Sequence, residues 1–152
     1  TSEDNSVNTV KSAKEYCDQN KIPYEEVTVT NSSEVKQAAE TLAGKVDGIF
    51  IPNDSVIQSA MTTVTEVARD KKIPVYGSSK AMVLSGAFAT VAISDTKIGK
   101  LTAQMGLKYL KDGTAVKDIP SVVVPAEETV INQNTLDALG VTVPDDYTAI
   151  AE

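Results

Sequence analysis

Apolar residues fall into two alternating spacings along the chain. Val7, Val10, Ala13 and Cys17, with Tyr16 beside them, share one face at helical spacing. Residues 24–29 form a short β-like run bounded by Pro23 and Asn31. Asn31 followed three residues later by Glu34 predicts a helix start, with the carboxylate reaching back to a free backbone donor. Val35, Ala38, Ala39 and Leu42 carry the helix on, and Gly44 is a natural stop. Residues 46–51 are apolar except for Asp47 and Gly48 and predict a buried strand. Val56, Ile57, Ala60, Met61, Val64 and Val67 then mark the clearest amphipathic helix of the sequence.

The alternation continues with a strand over 73–76, one or two helical turns over 79–84 and a strand over 88–93. Ile98, Leu101, Met105 and Tyr109 predict a helix ending at Gly113. A strand is expected over 121–124, between Pro120 and Pro125, and a short helix over 135–139 closed by Gly140. Alternating strands and helices with short polar connections define the α/β class, a mostly parallel sheet flanked by helices. The opening is unusual, because a polar loop leads at once into a helix. In the flavodoxin-like strand order the first strand is central, so the expectation is that residue 1 follows a first strand missing from the chain.

Composition narrows the chemistry. The 152 residues suit one domain, and 14 basic against 21 acidic residues give a net charge of −7. Arg69 is the only arginine and the lysines are scattered, which argues against nucleic acid as a partner. Histidine is absent, so a Ser–His triad, a Cys–His pair and a His-rich zinc site are excluded. The lone Cys17 cannot pair internally and reads as a small apolar residue on a helix face. No cofactor-binding or metal-binding motif occurs. No stretch approaches the apolar run of a membrane span, and residues 1–6 lack the basic and apolar regions of a signal peptide.

In open parallel sheets, ligands bind beyond the carboxyl ends of the strands. Five loops expected at those ends are rich in hydroxyl, amide and carboxylate groups: 1–6, 30–33, 52–55, 77–80 and 94–96. Such groups can hydrogen-bond a polar small molecule, and helix N-termini favour any carboxylate on it. Ser, Thr, Asn and Asp are also the preferred helix caps, so each residue taken singly fits capping better than binding. As a group the loops point to a ligand. Asp54 leads, following a buried strand and Pro52, and Asp95 is second. The adjacent Glu127 and Glu128 are expected to point apart, and Lys71-Lys72 to close a helix at its negative end. No catalytic constellation is present, so the pattern describes a binder.

Several stretches together resemble the substrate-binding proteins of ABC transporters, including binding lipoproteins for tryptophan and tyrosine. They are Thr1-Ser-Glu-Asp-Asn-Ser6, Val27-Thr-Val-Thr-Asn-Ser-Ser-Glu-Val35, Gly44-Lys-Val-Asp-Gly-Ile-Phe-Ile-Pro-Asn-Asp54, Ile73-Pro-Val75, Gly86-Ala-Phe-Ala-Thr-Val91 and Val130-Ile-Asn-Gln-Asn-Thr135. The resemblance runs from residue 1 to about residue 144. It implies one lobe of a type I periplasmic-binding fold, with a ligand held in the cleft between two lobes. Residues 1–85 and 113–152 would form the second, C-terminal lobe, and 86–112 would cross to pack on the first.

The resemblance further implies a ligand site at Ser2, Asn5, Ser6, Asn53, Asp54, Ser55, Ser78, Ser79 and Asp95. Asp54 would take the amino group of an amino-acid ligand, with hydroxyls and helix N-terminal amides taking its carboxylate. Many members carry tyrosines after the aspartate matching Asp95, whereas this chain has Thr96 and Lys97. A different amino acid or a small peptide-like or sugar-like solute is therefore also admitted. The implied setting is extracytoplasmic, with an ABC permease as partner, no cofactor, and membrane contact only through a lipid anchor outside this chain. Two other readings fit the same fold: the effector-binding core of a transcription regulator, and a flavodoxin-like enzyme using Asp54 or Asp95 as acid or base.

Overall fold

The computed structural model describes residues 4–143 and 147–150. Helix α1 spans Asp4–Asn20 and α2 Val35–Ala43, followed by β1 at Ile49–Phe50. Helices α3 (Ser55–Ser59) and α4 (Met61–Asp70) lead to β2 at Val75–Tyr76, and α5 (Lys80–Leu84) leads to β3 at Ala89–Ala92. The long α6 covers Asp95–Leu110; β4 (Glu128–Asn132), α7 (Gln133–Leu139) and β5 (Thr148–Ile150) complete the order. The sheet runs β1-β2-β3-β4-β5, parallel throughout except where β3 meets β4. No described helix is long and apolar enough to cross a membrane.

The α/β class is as expected, and the core follows from the apolar spacing. Val35 and Ala39 of α2, Met61, Val64 and Ala68 of α4, and Met82 and Val83 of α5 bury against Ile49, Ile51, Val75 and Val130. A smaller cluster joins Phe88, Ala89 and Ile131 to Leu136 and Leu139 of α7. Asn132 ties the second half together: its Oδ1 caps α7 by accepting from the Thr135 N–H (3.0 Å), and its Nδ2 donates to the Val83 carbonyl (2.9 Å). Gly140 ends α7 in the left-handed region, φ 68°, where a side chain would be strained.

Several expectations change. Residues 24–29 form neither helix nor strand and pair with no strand among the described residues. Residues 121–124 are likewise unpaired, with Val122 and Val123 exposed, so the prolines bound a solvent-facing segment and not a strand. The long amphipathic helix breaks at Ala60 (φ −109°, ψ 18°) into α3 and α4. Strands β4 and β5 lie where no strand was expected, since the polar, half-buried Glu128 and Thr129 and the exposed Thr148 hide the pattern. Glu127 and Glu128 do point apart, the first to Lys97 (3.0 Å) and the second to Lys80 (3.7 Å).

The start of the second helical region is built as the sequence implied, with one turn of 3-10 helix, Ser32–Glu34, ahead of α2. Asn31 accepts from the Ser33 N–H, and Glu34 reaches back to the Thr30 N–H (2.8 Å) and hydroxyl. The Thr30 backbone bond, then its hydroxyl and the Asn31 amide, hold the Glu34 carboxyl below its usual range. A depressed folded pKa stabilises above the unfolded value, and that gain fades as pH falls through the folded one. Opposite in sign, the hydrogen bond from Lys14 to Glu26 raises the lysine, whose gain fades only as pH rises through its folded pKa.

Two outcomes are expected. Asn132→Ala removes a cap worth about 1 kcal/mol and one hydrogen bond, worth about 0.5–1.5 kcal/mol, to a Val83 carbonyl that keeps the Gly86 N–H at 3.0 Å. Its urea midpoint should fall with the slope unchanged. Glu34→Gln should be less stable than wild type at neutral pH, and urea midpoints of the two should converge as the medium is acidified through the depressed Glu34 pKa.

Candidate functional site

Parallel pairing of β1, β2 and β3 sends their chain ends to one edge of the sheet. The register Phe50–Tyr76 and Tyr76–Ala89 puts Ile51, Gly77 and Thr90 at one level. The loops beginning at Pro52, Ser78 and Ile93 therefore leave the sheet side by side. Asn5, in the first turn of α1, joins them: its Nδ2 donates to the Asn53 carbonyl at 2.9 Å. Four of the five polar loops converge here. The loop at 30–33 is occupied by its own capping network.

Asp54 is the centre of this edge. Its side chain is 1% exposed. Its Oδ1 caps α3 by accepting from the Ile57 N–H at 3.1 Å, while Oδ2 has no hydrogen-bond partner among the described residues. Burying a carboxylate oxygen without a donor is costly, so such an atom needs an explanation beyond capping. A ligand donor supplies one. Thr90 is the second buried side chain with an unpartnered oxygen, one level below Ser78 on the neighbouring strands. Sequence reading missed it, because a lone hydroxyl in the run 88–93 carries no pattern.

The other expected site residues divide. Ser6 is fully buried in α1, whereas Asn5, Asn53 and Ser55 are exposed around Asp54. Ser79 caps α5, accepting from the Met82 N–H at 3.4 Å, and the Ser78 hydroxyl approaches the Met82 sulfur at 3.7 Å. Both are half-buried. Asp95 is exposed as the first residue of α6, and Ser94 occupies the cap position. Ser2 lies outside the described residues. No group of acidic and cysteine side chains able to hold a metal occurs among the described residues.

A cavity of 620 Å³ lies elsewhere, lined mainly by apolar side chains of α1, α2 and segment 22–29, beside β1. Cys17, expected to be buried on a helix face, is half-buried along it.

Polar loops and an unpartnered carboxylate gathered at one sheet edge offer groups able to hydrogen-bond a small polar molecule. The chain belongs to the ABC transporter substrate binding protein family, whose pattern matches residues 1–152. It is 38% identical over 139 residues to a tyrosine-binding protein of Clostridioides difficile, a match covering 91% of this chain and 40% of that protein. Among solved structures, it resembles the ligand-free, open form of a substrate-binding protein with adhesive properties from Clostridium difficile. There the TM-score is 0.83 at 33% identity, over 99% of this chain and 52% of that one. A streptococcal ABC domain in complex with L-Trp matches at TM-score 0.81 and 32% identity, over 95% and 49% of the two chains. This chain thus spans about half the length of these relatives or less.

Asn can accept the same Ile57 hydrogen bond as Asp54. Asp54→Asn should therefore keep the urea midpoint near wild type or raise it, whereas Asp54→Ala should lose about 1 kcal/mol with the cap. A loss for Asp54→Asn as large as for Asp54→Ala would show that the charge, and not the cap, holds this loop.

Proposed function

We propose that this chain is the second lobe of an extracytoplasmic receptor that binds an amino acid between two lobes and delivers it to an ABC permease. The observation that carries the reading is the buried, unpartnered Oδ2 of Asp54 at the sheet edge where the polar loops meet. A carboxylate held dry and short of one donor is suited to a ligand ammonium, which supplies charge-assisted hydrogen bonds. Asn5, Ser6, Asn53, Ser55, Ser78, Ser79 and Asp95, with Ser2, would surround the ligand, and the N-termini of α1 and α6 would favour its carboxylate. The relatives named for tyrosine and solved with L-Trp support an aromatic amino acid.

The lobes would be divided as the family resemblance implies, 1–85 and 113–152 here and 86–112 crossing to the first lobe. Within the crossing stretch β3 pairs in this sheet, but α6 has no buried residue, and it exposes Ile98, Leu107, Tyr109 and Leu110. That apolar surface favours a covering lobe. Closure of the two lobes on the ligand would be a hinge motion, driven by contacts made to both. Attachment to the membrane would come from a lipid anchor outside this chain, and neither nucleic acid nor a cofactor takes part.

Calorimetric titration tests the reading. The two-lobed protein should bind tyrosine or tryptophan at micromolar concentration or tighter, and the 152-residue chain weakly or not at all. Asp54→Asn in the two-lobed protein should cost about 1.5–3 kcal/mol, roughly tenfold to a hundredfold in affinity. Equal affinity of the single lobe would sink the shared cleft, and an unaffected Asp54→Asn would remove Asp54 from the site.

A further inference from the structure

Asp54 is not the only polar feature of the sheet edge where the loops meet. Strand β4 runs antiparallel to β3, so its first residue, Glu128, stands at the carboxyl end of β3 and at the same edge. Lys80 opens α5 directly after Ser78 and Ser79, and its Nζ lies 3.7 Å from Glu128 Oε1. Glu128 pairs with Ala92, and Thr90 pairs with Val130 two residues further in. Cross-strand partners share a face and every second residue returns to it, so Glu128 and Thr90 lie on one side of the sheet. Helix α5 packs on that side, with Met82 and Val83 against Val130. Thr90 is 4% exposed, and its hydroxyl has no hydrogen-bond partner among the described residues.

A gap of 3.7 Å is wider than the charge-assisted hydrogen bond of about 2.7–2.9 Å that an ammonium and a carboxylate can form. Neither side chain makes another hydrogen bond among the described residues. Lys80 therefore has donors to give, and Glu128 has acceptor sites to fill. The pair as a whole is neutral, which decides what it can receive. An anion would meet Glu128 and a cation Lys80, whereas a hydroxyl accepts from one and donates to the other. Both side chains are partly open to solvent, 43% and 34% exposed, so an arriving group can reach them. Sheet order sets the distance from Asp54. Lys80 comes from the exit of β2 and Glu128 from β4, so the charges meet above β3, about 10 Å or two strand spacings from the exit of β1. The amino group and ring hydroxyl of one tyrosine, each extended by a hydrogen bond of about 2.8 Å, bridge that distance.

We propose that Lys80 and Glu128, above the buried Thr90 hydroxyl, recognise a side-chain hydroxyl on the ligand and so select tyrosine over phenylalanine. The inference rests on the amino-acid reading above, with the ammonium at Asp54. Lys80 Nζ donates to the hydroxyl oxygen, and the hydroxyl donates to the Glu128 carboxylate. Phenylalanine leaves both charges against a ring edge without a partner, the situation in which a site for a hydroxyl rejects the analogue that lacks one. Tryptophan offers an N–H donor and no acceptor, so it satisfies Glu128 and not Lys80.

The two-lobed protein is titrated calorimetrically with tyrosine and with phenylalanine, as wild type, Lys80→Met and Glu128→Leu. Wild type should favour tyrosine by about a hundredfold, and each substitution should cut that ratio by about tenfold or more. The ratio is insensitive to damage to folding or closure, because both ligands meet the same variant. Equal affinities in wild type overturn the proposal. So does a ratio unchanged by the substitutions, whether or not both affinities fall. Binding of neither amino acid by wild type would overturn the amino-acid reading itself, and the proposal with it.

Discussion

Backbone pairing is the constraint on which the rest of this structure depends. Each buried N–H and C=O must find a partner. Strands as short as Ile49–Phe50 and Val75–Tyr76 persist because parallel neighbours and flanking helices satisfy and cover them. The same pairing fixes the functional edge. With β1, β2 and β3 aligned in parallel, their exits fall on one side, and the residues after each strand become neighbours without any direct attraction between them. Where the pairing stops, at the outer edge of β1, the molecule has a cavity of 620 Å³.

The polar edge combines two physical roles in the same residues. Asp54 and Ser79 each cap a short helix, satisfying backbone donors that the helix leaves free. A hydroxyl is then spent on its cap, but a carboxylate has a second oxygen. In Asp54 that oxygen is buried and unpartnered, a state shared at this edge with the Thr90 hydroxyl, which carries no charge. Capping at Asp54 therefore does not compete with the proposed ligand binding. The cap fixes the side chain's direction, and the remaining oxygen is what a ligand can use.

Much of this was legible in the sequence, for identifiable reasons. Runs such as 46–51 and 88–93 announce strands because most of their apolar side chains, Ile49, Ile51, Phe88, Ala89 and Ala92 among them, are buried. Asp54 stood out because it follows such a run across Pro52. Strands β4 and β5 were not legible: β4 begins with the half-buried Glu128 and Thr129, and β5 is mostly exposed, so neither shows a continuous apolar run. The opposite error came at 121–124, where three consecutive valines look like a strand but pair with none, and Val122 and Val123 face solvent. The break at Ala60 is invisible to periodicity, since the apolar face continues across it. Burial of the Asp54 oxygen depends on how loops from distant parts of the chain meet, which no local pattern encodes.

The central claim is that the free oxygen of Asp54 receives the ligand's ammonium. A crystal structure of the two-lobed protein with bound tyrosine tests it most directly. The account predicts the ligand nitrogen within about 2.7–3.0 Å of Asp54 Oδ2, with Oδ1 still held by the Ile57 N–H. A ligand whose amino group is bound elsewhere, with Oδ2 still buried and unpartnered, would contradict it.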